Sequence, residues 1–142
     1  MNYNKGGIGP FIMFDNLEIN LKEHKIFFVG GEDYLVNNKT VIRGQMYVEC
    51  FKPTKSNNKN IILIHGGGQS GAGFITTADG RKGWLHDFLS FGFSVYVVDQ
   101  PGRARSGYSE SLYGKFIDRE TNIDDVERRF TAMAKKGNWP QA

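Results

Sequence analysis

Ile61-Ile62-Leu63-Ile64-His65-Gly66-Gly67-Gly68-Gln69-Ser70-Gly71 is the stretch on which the fold turns. An unbroken apolar run leads straight into three glycines. Such a run suits a parallel strand buried on both faces. Glycines placed directly after it let the backbone turn sharply and present N–H groups with no side chain in the way. In open α/β sheets, sites form just beyond the carboxyl ends of the strands, so residues 65–71 are the first candidate site.

Working outward, Val95-Tyr96-Val97-Val98 is a second apolar run. Between the two, Trp84, Leu85, Phe88 and Leu89 share one helical face. Their spacing predicts a helix that starts near Arg81, with Gly92 as its C-cap. Strand, glycine loop, helix and strand form a βαβ unit, whose crossover is expected to be right-handed. Upstream, Phe11 to Phe51 suggests short antiparallel strands. Ile26-Phe27-Phe28-Val29 is closed by a turn at Gly30-Gly31, and Val41-Ile42 and Met46-Tyr47-Val48 flank a bend or bulge at Gly44. Residues 53–60 are a polar loop. Downstream, Ile123, Val126, Phe130, Met133 and Ala134 predict an amphipathic helix to Lys136, capped by Asn122 or Thr121. The fold class is therefore α/β: short antiparallel strands lead into a βαβ unit of a mostly parallel sheet. Residues 1–25 are an N-terminal arm and 26–142 a partial domain.

Composition narrows the function. The 142 residues are 39% hydrophobic and 23% charged, an ordinary globular balance. The net charge of +3 is spread over interleaved signs between Lys115 and Arg129. A nucleic-acid partner needs a clustered basic face, and none is visible. Cys50, the only cysteine, lies in a strand-like run and reads as a small buried apolar residue. No Cys/His spacing suits a metal, so neither metal nor cofactor is expected. No apolar stretch is long enough to span a membrane, and no leader is visible, so a cytoplasmic location is expected.

The glycine loop carries the chemistry. Converging backbone N–H groups stabilise the negative oxygen of acyl-transfer transition states. A phosphate-binding P-loop would need a Gly-Lys-Ser/Thr after the glycines, which is absent. A dinucleotide fingerprint needs a helix starting at the glycines, whereas this helix is expected well downstream. His65 reads as a residue that hydrogen-bonds and holds the loop's shape rather than as a base. His86 is expected to face solvent, and His24 lies in a charged stretch. Asp99, at the end of the second apolar run, can accept loop N–H groups, and Ser106 can cap or turn the loop that follows. No Gly-x-Ser-x-Gly elbow occurs, so neither Ser70 nor Ser106 is assigned as a nucleophile. Arg103 and Arg105 are surface charges or loop braces, with anion binding as a weaker option.

At this point the order of motifs resembles the α/β-hydrolases: apolar strand, His-Gly-Gly-Gly, helix, apolar strand, then Asp-x-Pro-Gly-x-x-x-Ser. Several stretches look more narrowly like the bacterial esterase 713-type subfamily. They include Phe28–Gly31, Gly44–Val48, His65–Gly71, Thr77–Trp84, Tyr96–Asp99, Arg128–Thr131 and Trp139–Ala142. The resemblance implies an oxyanion hole drawn from Gly67, Gly68 and Gln69, with His65, Asp99 and Ser106 as loop support. It implies a small-molecule ester as substrate of the full-length relatives, and a Ser, acid and His triad with no counterpart in these residues. Ala104 stands where hydrolases often have Gly, a swap that matters only if the backbone there needs a positive φ. The expectation is the N-terminal fragment of a serine hydrolase, inactive alone. The alternative is a non-enzymatic interaction module that uses the βαβ frame, and exposed sheet edges predict a dimer or aggregate.

Overall fold

The computed structural model describes residues 19–119 and 122–130. The chain opens with a hairpin of β1 (Leu21–Val36) and β2 (Lys39–Pro53). A short loop leads to β3 (Asn60–Ile64), a single helical turn α1 (Ala72–Ile75), the helix α2 (Trp84–Ser90) and β4 (Ser94–Asp99). Beyond it lie a 3-10 turn at Ala104–Ser106, α3 (Glu110–Tyr113), a second 3-10 turn at Phe116–Arg119, and α4 (Ile123–Phe130). The strands form one mixed sheet in the order β1-β2-β4-β3. β3 and β4 pair in parallel, as the βαβ pattern requires, while β1–β2 and β2–β4 are antiparallel. Among the described residues the sheet is therefore mixed rather than mostly parallel.

Three local expectations are corrected. The upstream strands are long, not short. Gly30-Gly31 does not end β1; the chain reverses at Asn37-Asn38, both of which have positive φ (49° and 60°). Two positive-φ residues are what a tight two-residue hairpin demands, and Asn tolerates that region better than most residues. The glycines bend the hairpin instead. Gly30 pairs with Gln45 and Glu32 with Arg43, a register that sets Gly31 across from Gly44. All three glycines have positive φ, so both strands kink at one level. Leu21–Lys25, placed with the arm on sequence grounds, already pair with β2.

The second correction concerns burial. β4 is central, and Val95, Val97, Val98 and Asp99 are all buried. β3 lies at the edge of the described sheet: Leu63 is buried, but Ile62 and Ile64 remain 61% and 60% exposed. An apolar run read as two-sided burial thus holds for β4, which has a strand on either side, and fails for β3, which has a strand neighbour on one side only among the described residues. The core is Leu63, Val95 and Val97 from the sheet against Leu85 and Leu89 of α2, with Ile61, Phe51 and Phe88 packed around it.

The third concerns α2, which begins at Trp84 rather than near Arg81; Trp84 lies 64% exposed, off the buried face. α2 ends as expected: Gly92, at φ +84°, returns its N–H to Leu89 O at 3.0 Å. The polar loop between β2 and β3 and the strand around Cys50 also fall where the sequence puts them. Asn122 caps α4 by accepting the Asp124 N–H at 2.9 Å. The rest of that expected helix, 131–136, lies outside the described residues.

Candidate functional site

His65 to Gly71 leaves β3 at its carboxyl end, beside the carboxyl end of β4. His65 is buried, with 3% of its surface exposed. Its Nε2 accepts the Gln100 N–H at 3.1 Å, and Nδ1 lies 2.8 Å from Gly66 O. A backbone N–H can only donate, so Nε2 is the acceptor and Nδ1 carries the proton toward Gly66 O. The Gln100 side-chain amide donates to His65 O at 2.5 Å. Both ring nitrogens are thus committed to the backbone, and the imidazole holds the start of the loop against β4.

Gly71 holds the other end. Its N–H donates to Asp99 Oδ1 at 2.7 Å. A Cβ at this position would stand 2.6 Å from Val97 Cγ1 and 3.0 Å from Val98 O, so only glycine lets the loop lie this close to the sheet. Between the anchors, Gly66–Gln69 is exposed. Gln69 closes a small turn on Gly66: its N–H donates to Gly66 O at 3.3 Å, and its Oε1 accepts the Gly66 N–H at 3.2 Å. Among the described residues, the N–H groups of Gly67 and Gly68 have no acceptor, and both residues are exposed. Of the three oxyanion candidates, Gly67 and Gly68 offer uncommitted donors, whereas the Gln69 N–H is turned inward.

Asp99 is fully buried and carries the most bonds at the site. Besides Gly71, it accepts the Arg105 N–H at 3.1 Å and Arg105 Nε–H at 2.6 Å, both on Oδ2. Burial pushes its pKa up, but the hydrogen bonds from the Arg105 guanidinium, Gly71 N–H and Arg105 N–H outweigh it and hold the carboxyl below its ordinary range. Arg105 also donates from Nη1 to Glu49 Oε2 at 2.6 Å, and its guanidinium lies 4.0 Å above the Tyr47 ring. Burial lowers the Arg105 pKa, but the bonds to Asp99 and Glu49 outweigh this and raise it. Tyr47 is raised by burial and by the neighbouring Glu49 charge. Arg105 is therefore a brace, already spent on two carboxylates, and not an anion site. Ser106 is buried: its hydroxyl donates to Asp99 O at 2.5 Å and accepts the Tyr47 N–H at 2.8 Å, tying β2 to β4.

Glu49 and Gln100 were missed from sequence. Glu49 had one signal, a carboxylate between Tyr47 and Phe51 on the same face of an otherwise apolar strand. His24, read as uninformative, stacks on Phe51 and lies 2.9 Å from Glu49. Ala104 sits at φ +39°, so the condition under which its replacement of Gly matters is met. A concavity of about 590 Å³ lies at the opposite end of the sheet, around Ile19, Leu21, Pro53 and Leu89. It is too far from the glycine loop to serve it. Among the described residues there is no cluster of three metal-ligating side chains, and no helix is long and apolar enough to cross a membrane.

No family model matches the chain. The chain is 38% identical, over 117 residues, to a fungal protein (strain ATCC 74256) named probable secreted lipase phiG. That match covers 82% of this chain and 29% of the lipase. It also resembles the structure reported as the atomic-resolution structure of a novel bacterial esterase, at a TM-score of 0.63 and 34% identity. There the match covers 79% of this chain and 38% of the esterase. Its relatives are ester hydrolases. The chain spans roughly a third of the length of these hydrolases. The fungal relative is named a probable secreted lipase, which overturns the expectation of a cytoplasmic location.

Proposed function

We propose that these residues are the oxyanion side of an α/β-hydrolase of the bacterial esterase 713 type, acting on a small carboxylic ester. One observation carries the reading: Gly67 and Gly68 are exposed, and their N–H groups are uncommitted among the described residues, at the carboxyl end of a parallel strand and on a loop pinned at both ends. Donors fixed before the reaction stabilise a developing oxyanion without reorganising as charge builds. His65, Asp99 and Ser106 are loop support. The 142 residues hold no Gly-x-Ser-x-Gly elbow, so on this reading they do not supply the nucleophile.

Two experiments test it. The 142-residue chain, incubated with p-nitrophenyl butyrate, is expected to show no turnover that a serine-directed phosphonate blocks; phosphonate-sensitive turnover would falsify the absence of a nucleophile. A chimera joins residues 19–119 to the remainder of the bacterial esterase. Gly67→Pro, which deletes one N–H, is expected to lower its kcat by about 10²–10³. An active chimera indifferent to this change would remove Gly67 from the oxyanion hole.

A second reading, an interaction module, is favoured by the exposed Ile62 and Ile64 on β3 and by Ile26–Val29 on β1, all 38% exposed or more. A defined dimer of the folded chain supports it.

A further inference from the structure

We propose that Arg105 is a positioning residue for the glycine loop. The proposal rests on the oxyanion reading above for its functional meaning but on geometry alone for its mechanism. Asp99 joins two jobs: Oδ1 holds Gly71, the last residue of the loop, and Oδ2 is held by Arg105 through both main chain and guanidinium. Arg105 is itself fixed from β2, by Glu49 Oε2 at 2.6 Å and by the Tyr47 ring beneath it. The placement of the loop is thus set from β2, across β4, through one buried carboxylate.

The guanidinium decides the charge state of Asp99. A fully buried carboxylate stays ionised only while it is paired. Remove Arg105 and Asp99 takes up a proton at a higher pH. Its grip on the Gly71 N–H then weakens, because hydrogen bonds to an ionised acceptor are roughly twice as strong as neutral ones. The titratable groups around Asp99 are Arg105 itself, Glu49 and Tyr47 from β2, His24 from β1 facing Glu49, and His65 at the start of the loop. Of the titratable groups among the described residues, only Arg105 touches the carboxylate.

The test follows the backbone amides of Gly67, Gly68 and Gly71 by NMR in the 142-residue chain between about pH 4.5 and 8, a window above the ordinary carboxylate range. In the parent, the Gly71 amide is expected not to report a carboxylate titration in that window. In Arg105→Gln, the loop amides are expected to titrate together with a raised midpoint. Gly71 hydrogen exchange should quicken by roughly tenfold or more, the loss of one charge-assisted bond. Arg105→Lys keeps the charge and should restore the parent pH profile in large part. Amides of Val95 and Val97 in the core serve as the folding control. If Arg105→Gln does not fold, Glu49→Gln replaces it, releasing only the outer anchor, with a smaller shift in the same direction. Loop amides that stay at their parent positions and pH dependence in the folded variant overturn the proposal. That failure would leave the chimera experiment untouched, and failure of the chimera would leave the loop's dependence on Arg105 standing.

Discussion

Asp99 has no exposed surface, and both its oxygens are engaged. Asp99→Ala would leave the Arg105 guanidinium half-paired and the Gly71 N–H unsatisfied, and is expected to cost about 3–5 kcal/mol in denaturant unfolding. The folded pKa of Asp99 lies below its unfolded value, near 3.9. Its stabilisation is therefore fully present above that value and is lost as pH falls through the folded pKa. Thermal melts below about pH 4 should show a steep loss of stability in the parent and a shallower one in Asp99→Asn; parallel curves would contradict the assignment. Ala104, at φ +39°, works the other way. A left-handed backbone costs an L-residue roughly 1–2 kcal/mol that glycine avoids. Ala104→Gly should thus raise the melting temperature, by less than the full strain because glycine adds entropy to the unfolded chain; an unchanged or lower melting temperature would contradict it.

The hairpin and the βαβ unit are stabilised by different means. β1 and β2 reverse through Asn37-Asn38, both at positive φ. Asn-Gly is the preferred pair for such turns because its second residue takes positive φ without a Cβ penalty. Asn38→Gly is expected to add a few tenths to about 1 kcal/mol, read from the denaturant midpoint, and a decrease would mean the turn is not of this kind. The βαβ unit depends on packing. Leu89 is 5% exposed and caps the core between α2 and β4; Leu89→Ala should cost about 2–5 kcal/mol. The Gly30/Gly31/Gly44 kink shows why element boundaries were misplaced from sequence. Paired glycines look like a turn when read along one strand, and only the partner strand reveals that they face a third glycine and bend a continuous ladder.

For the whole molecule, what counts is apolar surface that no described residue covers. Ile62 and Ile64 stand more than half exposed on β3, and Ile26, Phe27, Phe28 and Val29 line β1. Clustered exposed apolar side chains on edge strands favour association with another chain. Sedimentation of the 142-residue chain should show concentration-dependent association, and Ile62→Lys with Ile64→Lys should shift it toward monomer. An unchanged distribution would place the contact elsewhere. A single well-defined dimer, disrupted by these changes, would favour the interaction module, while heterogeneous aggregate would count against it.

Local pattern alone determined the βαβ unit, the buried strand β4, the helical face of Leu85 and Leu89, and the glycine loop as the place to look. Each of these follows from periodicity and backbone sterics within a few residues. The tertiary structure decided what depends on neighbours distant in sequence. It made β3 an edge strand although its apolar run looks like that of β4, since burial depends on which elements flank a strand. It committed the Gln69 N–H to Gly66 O and left those of Gly67 and Gly68 without an acceptor among the described residues, since donor pairing follows from how the loop is pinned. It also brought Glu49, Asp99 and Arg105 together across two strands and a turn. Charges separated by as many as 56 residues leave no local signature of their pairing, because only the fold sets the distance between them.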